Sequence, residues 1–235
     1  RGISLTTMAS VRTAVITGAS RGIGLATAQK FFASGWRVVG TYNATLIPID
    51  SPELIPISLD ASVPASIARA SAEIAQHVSS IDVLVNNAGI ILDALDSDID
   101  MDKIRKTFEV DLFAVIDLTE RLLPLMHAGS HIININSSYG ALSLPIDDES
   151  STAYRLAKAA LNMYTRTLAF RLRGRKIIVS SLDPGWVKTD MGRIAATEED
   201  GPDREPEEPA GEIYDLATRH VPSGHFWRKG KKRAW

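Results

Sequence analysis

The 235-residue chain is 45% apolar and 23% charged, with a formal net charge of −2, a balance that leaves no footprint for nucleic acid or an anionic membrane as partner. Cysteine is absent, which excludes disulfides and thiolate chemistry, and no apolar run approaches the roughly 18–20 residues that span a bilayer. The five histidines (His77, His127, His131, His220, His225) lack ligand spacing, so no metal site is expected.

Residues 1–10 read as an N-terminal extension without a signal-peptide apolar core, with Met8 a candidate start, and the chain is expected to be cytoplasmic. From residue 11 onward short β-rich runs alternate with helical patterns, the rhythm of parallel strands joined by crossover helices. RTAVI (12–16) opens the series, and TGASRGIG follows it directly, ahead of a helix expected over 22–34. Gly18, Gly22 and Gly24 permit a tight turn and close approach of a pyrophosphate to backbone N–H groups at a helix N-terminus.

Strands are expected next over 36–42 and 54–58, with an irregular linker, because about a dozen residues containing Pro48 and Pro52 leave no room for a full crossover helix. A helix over 64–78 and a strand over 81–85 follow. In the helix expected over 102–127, Ile104, Phe108, Leu112, Val115, Leu118 and Leu122 recur at three- and four-residue steps, a stripe for the core or a subunit interface. A strand over 131–136, a helix over 151–173 and a strand over 176–182 come next. Residues 198–208 (EEDGPDREPEE) carry seven acids, one base and two prolines, the composition of a mobile solvated loop. A seventh strand is placed near 224–227, and the basic run Arg228–Arg233 reads as a solvated tail.

Tyr154 and Lys158 lie four apart in the helix expected over 151–173 and therefore share one face. A neighbouring cation favours phenolate over phenol, so this spacing prepares Tyr154 to exchange a proton near neutral pH.

Five ordered motifs resemble the short-chain dehydrogenase/reductase family over nearly the whole chain: Thr17-Gly18-Ala19-Ser20-Arg21-Gly22-Ile23-Gly24, Asp60, Asn86-Asn87-Ala88-Gly89, the Tyr154–Lys158 pair, and Asp183-Pro184-Gly185. The resemblance implies a single α/β domain over 11–235, a Rossmann-type doubly wound parallel sheet with helices on both faces, and an oxidoreductase. It further implies that Gly18, Ser20, Arg21, Gly22, Ile23 and Gly24 hold the cofactor phosphates, that Asp60 meets the adenine, and that Asn87, Ala88 and Gly89 line the groove. Pro184, Gly185 and Val187 are implied near the nicotinamide, with Thr189 bonding its carboxamide and Lys158 the ribose hydroxyls.

Members that prefer NAD carry an acid at the end of the second strand. Thr41-Tyr42-Asn43 stands there instead, and Arg21 can supply positive charge to a 2′-phosphate, so NADP(H) is the expected cofactor. The family's Ser-x-x-Gly spacing selects Ser137 as the catalytic serine, with Ser138 second. The usual fourth member, an Asn, is replaced by Asp111, which can serve a proton relay, alter helix geometry or slow proton supply. Phrases such as Ser-Tyr-Gly-Ala-Leu-Ser (138–143) and Pro-Gly-Trp-Val-Lys-Thr-Asp-Met-Gly (184–192) resemble carbonyl reductases, which use NADPH on ketones and aldehydes. A reductase of carrier-bound 3-oxoacyl groups and a non-catalytic NADP-sensing protein are the alternatives. Substrate choice is assigned to a loop over about 191–216, Asp147-Asp148-Glu149 is read as an insertion, and a homodimer or homotetramer is expected through the helices at 102–127 and 151–173.

Overall fold

The computed structural model describes residues 11–146, 148–198 and 200–235. The expected extension 1–10, with Met8, and Asp147 of the expected insertion lie outside the described residues. Strands β1 (Thr13–Ile16), β2 (Arg37–Tyr42), β3 (Leu54–Ser58), β4 (Ile81–Asn86), β5 (Met126–Ile135), β6 (Ile178–Leu182), β7 (His225–Arg228) and β8 (Lys231–Arg233) form one sheet in the order β3-β2-β1-β4-β5-β6-β7-β8. All neighbours are parallel except β7 and β8. This is the doubly wound architecture expected from the alternation of elements.

The order follows from burial on both faces. TAVI in β1 is buried at every position, as strands sandwiched between helices must be. One face packs Ile57, Ile67, Leu84, Leu118, Ile132 and Leu168 under helices α2 (Pro64–His77), α4 (Ala114–Leu122) and α5 (Thr152–Leu172). The other packs Ile16, Phe31, Val38, Val83, Ile133 and Ile213 under α1 (Gly22–Ala33) and α7 (Glu207–Thr218). The chain steps outward from β1 to β3 and then returns to β4 on the opposite side of β1. That reversal opens a crevice at the carboxyl ends of β1 and β4, where ligands of such sheets bind.

The helix expected over 102–127 is not continuous. It divides into α3 (Met101–Phe108), a widened π-type turn over Glu109–Phe113, and α4, and Pro124 closes the run before β5 begins at Met126. A widened turn of this kind commonly marks a functional position, and Asp111 sits inside it.

Three further departures fall near the C-terminal side of the sheet. The basic run 228–233 is a hairpin rather than a solvated tail: Lys229 (φ 47°) and Gly230 (φ 70°) turn β7 into the antiparallel β8, an eighth strand. Helix α7 occupies residues assigned to the substrate loop. In the acidic segment, where Glu199 lies outside the described residues, Arg204 anchors residues 200–208: it is buried and pairs through its backbone with Trp186 and Lys188 on either side of Val187.

Candidate active site

Three glycines shape the mouth of the crevice. Gly18 (φ 66°) and Gly22 (φ 54°) adopt conformations that side chains disfavour, and α1 begins at Gly22 with its N-terminal amides facing the turn. A Cβ on Gly24 would lie 2.0 Å from the Gly18 carbonyl oxygen, so that position admits no side chain. Glycine-enforced closeness and a helix N-terminus together form a cradle that fits a dinucleotide pyrophosphate. Asn87 ties this loop to β4, donating to the carbonyls of Thr17 (2.8 Å) and Gly18 (3.3 Å), while Thr17 Oγ1 accepts the amides of Asn87 and Ala88. Ser20 and Ile23 stand in the same turn, and Tyr42 lies half-buried at the end of β2.

Asp60 sits after β3, where its carboxylate accepts from the Ser62 hydroxyl and amide, bonds that hold its pKa below the ordinary value. Arg21 extends from the glycine turn and pairs with Asp190 at 2.9 Å, both side chains largely exposed. The ion pair joins the glycine turn to the segment after β6. Thr189 packs there too, with its Cγ2 3.0 Å from where a Gly22 Cβ would stand. Its hydroxyl accepts from the Gly192 amide and caps the short helix α6 (Asp190–Arg193).

The loop holding Pro184, Gly185 (φ 78°) and Val187 is fastened from below. Buried Asp183 accepts from the Gly185 amide (2.9 Å) and pairs with Arg228 (3.2 Å) and Arg233 (2.5 Å). The buried Arg204 guanidinium bonds the Pro184 carbonyl and pairs with Glu212. Neither Arg204 nor Arg233 was legible as a site residue in the sequence, because each works from a segment that reads as solvated charge.

The catalytic candidates converge at the carboxyl end of β5. Ser137 faces the Tyr154 hydroxyl and favours its ionised form, and its Oγ accepts from the Tyr139 amide at 3.1 Å. Ser138 instead begins a single 3₁₀ turn over Ser138–Gly140. Lys158 Nζ lies 5.3 Å from the Tyr154 ring centroid, 3.3 Å from the Ile135 carbonyl and 3.0 Å from Asp111 Oδ2. The other Asp111 oxygen accepts from the Ile90 amide at 2.8 Å, and both Asp111 and Lys158 are buried.

Charge balance at Tyr154 runs opposite to the expectation from its spacing to Lys158. Burial pushes the phenol above its ordinary pKa; Lys158 pulls it down, but Asp111 pushes it up again. Burial pulls the Lys158 ammonium down, yet Asp111 and Tyr154 outweigh it and hold it above its ordinary value. For Asp111 itself burial dominates and raises the carboxyl against the pull of Lys158 and the Ile90 amide.

Two asparagines hold this arrangement in place. Asn136 donates to the Lys158 carbonyl (3.2 Å) and to Asn162 Oδ1 (2.7 Å), and accepts from the Ser137 amide (2.9 Å). Asn162 donates to the Gly140 carbonyl (2.9 Å) and accepts from the Ser181 hydroxyl. Gly140 lies so close to α5 that a Cβ there would come within 2.5 Å of the Lys158 backbone. Asp93 completes the frame at the N-terminus of α5, a role invisible in the sequence because the capped helix begins 59 positions downstream at Thr152. Asn162 had a weak sequence signal, being a polar residue inside an apolar helix face.

A sequence profile described as short chain dehydrogenase matches residues 12–200. A 3-oxoacyl-[acyl-carrier-protein] reductase from Synechocystis is 34% identical over 230 residues, covering 90% of this chain and 91% of that protein. Dehydrogenase/reductase SDR family member 7B from Mus musculus is 32% identical over 197 residues, which is 78% of this chain; the chain spans 60% of that relative's length. Among solved structures, an NADPH-bound carbonyl reductase from chicken fatty liver superposes with a TM-score of 0.84 at 30% identity, covering 96% of this chain and 94% of that one.

Proposed function

This chain belongs to the short chain dehydrogenase family, and from that premise we propose that it is an NADPH-dependent oxidoreductase that reduces a ketone or aldehyde to an alcohol. One observation carries the proposal: Ser137, Tyr154 and Lys158 meet beside the glycine cradle, at the carboxyl ends of the strands. The reduced nicotinamide, when bound, supplies the hydride that the carbonyl carbon accepts. Tyr154 donates its proton to the carbonyl oxygen, and Ser137 holds that oxygen by a hydrogen bond as negative charge grows on it. Lys158 fixes the electrostatics of the phenol from the next turn of α5. Gly18, Ser20, Arg21, Gly22, Ile23 and Gly24 would hold the phosphates, with Tyr42, Asp60, Asn87, Ala88 and Gly89 around the adenosine side. Pro184, Gly185, Val187 and Thr189 would flank the nicotinamide side.

NADP(H) as cofactor is supported by the absence of an acid at Thr41-Tyr42-Asn43 and by Arg21. The carbonyl class is supported by likeness to the chicken enzyme, and the Synechocystis relative supports a second reading, reduction of carrier-bound 3-oxoacyl groups. Paired titration with NADPH and NADH, followed by nicotinamide fluorescence, tests the cofactor. A screen of free carbonyl compounds against 3-oxoacyl thioesters then separates the two substrates. Tyr154→Phe should abolish turnover while NADPH binding persists; an unchanged biological effect would instead support an NADP sensor.

A homodimer or homotetramer belongs to the same proposal. Leu156, Met163 and Phe170 recur every seven residues along α5 and are 48%, 56% and 67% exposed; Phe113 on the π-type turn is 50% exposed. Such a stripe suits a second copy of the chain. None of the described helices is long and apolar enough to cross a membrane; a cytoplasmic setting is part of the proposal, and cell fractionation tests it.

A further inference from the structure

Asp111 occupies a place where the family pattern calls for a neutral amide, and its surroundings assign the added charge a purpose. The π-type turn swings Asp111 inward until it is fully buried, with one carboxylate oxygen on the Ile90 amide and the other 3.0 Å from Lys158 Nζ. One oxygen accepts from the Ile90 amide, and the other faces the Lys158 ammonium as an ion pair. Gly89 lies against the same carboxylate, where an added Cβ would stand 3.2 Å from Oδ2, so the anion cannot retreat on that side without meeting backbone. Asp111, the Ile135 carbonyl and the Tyr154 ring stand around the Lys158 ammonium.

We propose that Asp111 is the counter-ion that cancels the charge of Lys158 at Tyr154, keeping Tyr154 a proton donor and weighting the site toward reduction. The inference rests on the reductase reading of the site. A lone ammonium near a phenol stabilises phenolate, whereas an ammonium paired with a carboxylate presents a dipole whose field falls off faster with distance. Reduction needs the phenol, which gives its proton to the substrate oxygen. The reverse reaction needs the phenolate, which takes the proton of the alcohol. Asp111 acts through Lys158 and is therefore a positioning residue.

The charged and titratable groups around Tyr154 come from each packed element. Lys158 lies on α5, Asp111 on the π-type turn, and Asp183 after β6, the last adding a smaller push in the same direction as Asp111. Ser137 faces the hydroxyl from the β5 side and favours its ionised form, and the Tyr139 ring stands edge-on at 6.3 Å. Arg155, although adjacent in sequence, is turned to Asp148 and to the face of Tyr139.

The test reads Tyr154 directly, on the protein without cofactor. Phenolate absorbance is titrated for the wild type and for Asp111→Asn, each corrected by the same protein carrying Tyr154→Phe. Wild-type Tyr154 should ionise above the ordinary tyrosine value, and Asp111→Asn should lower that midpoint by about one pH unit or more. At saturating substrate and cofactor, Asp111→Asn should raise the kcat of oxidation relative to the kcat of reduction at neutral pH about tenfold. An unchanged or higher midpoint in Asp111→Asn overturns the proposal. If that variant fails to fold, the wild-type titration decides alone: a midpoint at or below the ordinary tyrosine value overturns it. Absence of any NADPH-dependent carbonyl turnover would sink the reductase reading, while the absorbance titration would still decide whether Asp111 governs Tyr154.

Discussion

Asp93 accepts the backbone amide of Ala153 at 2.5 Å and so caps the helix whose next residue is Tyr154. Its own carbonyl accepts the Ser151 amide, and Ser151 is held at φ 61°. A carboxylate on the loop after β4 thus sets where the first turn of α5 begins. Asp93→Ala should remove the cap and cost about 1–2 kcal/mol of stability, measured by denaturant unfolding. The same variant should lower kcat more than it raises KM, since the displaced group is the proton donor. Asp93→Asn keeps an acceptor and should recover most of both; equal loss in the two variants would refute a capping role.

Gly140→Ala tests the contact between the serine turn and α5. The new methyl would meet the Lys158 backbone at 2.5 Å, and the neighbours there are backbone atoms that cannot swing aside. Activity should fall by at least tenfold with NADPH affinity little changed, because the glycine cradle lies elsewhere. Retained activity would mean that the turn and helix are free to separate.

Arg21 and Asp190 make opposite predictions for cofactor choice. Arg21→Ala should weaken NADPH by up to about tenfold and leave NADH nearly untouched, the scale of one exposed charge-assisted contact. Asp190→Asn releases the guanidinium and should tighten NADPH a few-fold. Fluorescence titrations of both variants with both cofactors check this; equal effects on NADPH and NADH would remove Arg21 from the 2′-phosphate.

His131 predicts the response to acid. Burial holds its imidazole down to about 3, and its Nε2 meets the Ser180 hydroxyl at 2.9 Å. The unfolded chain therefore binds a proton there below the ordinary histidine value of about 6.5 while the folded chain does not. Stability should fall as pH drops through that window, by about 1.4 kcal/mol per pH unit from this residue once its unfolded form is fully protonated. Unfolding curves between about pH 7 and pH 5 measure the slope, and His131→Gln should flatten it; an unaltered slope would place the acid sensitivity elsewhere.

Phe170→Glu tests the stripe on α5. The charge should shift the assembled protein toward its 25.5 kDa monomer in sedimentation. A wild type already at the monomer mass would refute the assembly.

The sheet and its helices were legible because buried parallel strands and amphipathic helices impose periods on the sequence. β1 to β7 overlap the runs that predicted them, although β5 begins at Met126 rather than at 131, and the glycine turn falls at the switch between strand orders. Elements governed by distant partners were not legible. β8 has three basic residues and no apolar face; only pairing with β7 and the pull of Asp183 on Arg233 make it a strand. Arg204 looks like one base in an acidic loop until Pro184 and Glu212 close around it. The π-type turn at Asp111 interrupts a stripe whose spacing reads as an unbroken helix, and the buried carboxylate responsible lies opposite Lys158, 47 residues away in the chain. The charge balance at Tyr154 needed Asp111 in three dimensions.

The β7–β8 hairpin has a bearing on how the protein is made. Asp183, buried beneath Pro184 and Gly185, finds both of its cations in residues 228 and 233, and the Ser143 amide beside the serine turn is bonded to the Trp235 carbonyl. A nascent chain on the ribosome can lay down β1 to β6, the glycine turn and α5 and still hold an uncompensated carboxylate at the floor of its own cleft. Residues 225–235 therefore complete the floor of the cleft, and a translation product that stops short of them would carry the glycine turn and the Tyr154–Lys158 pair without either cation of Asp183.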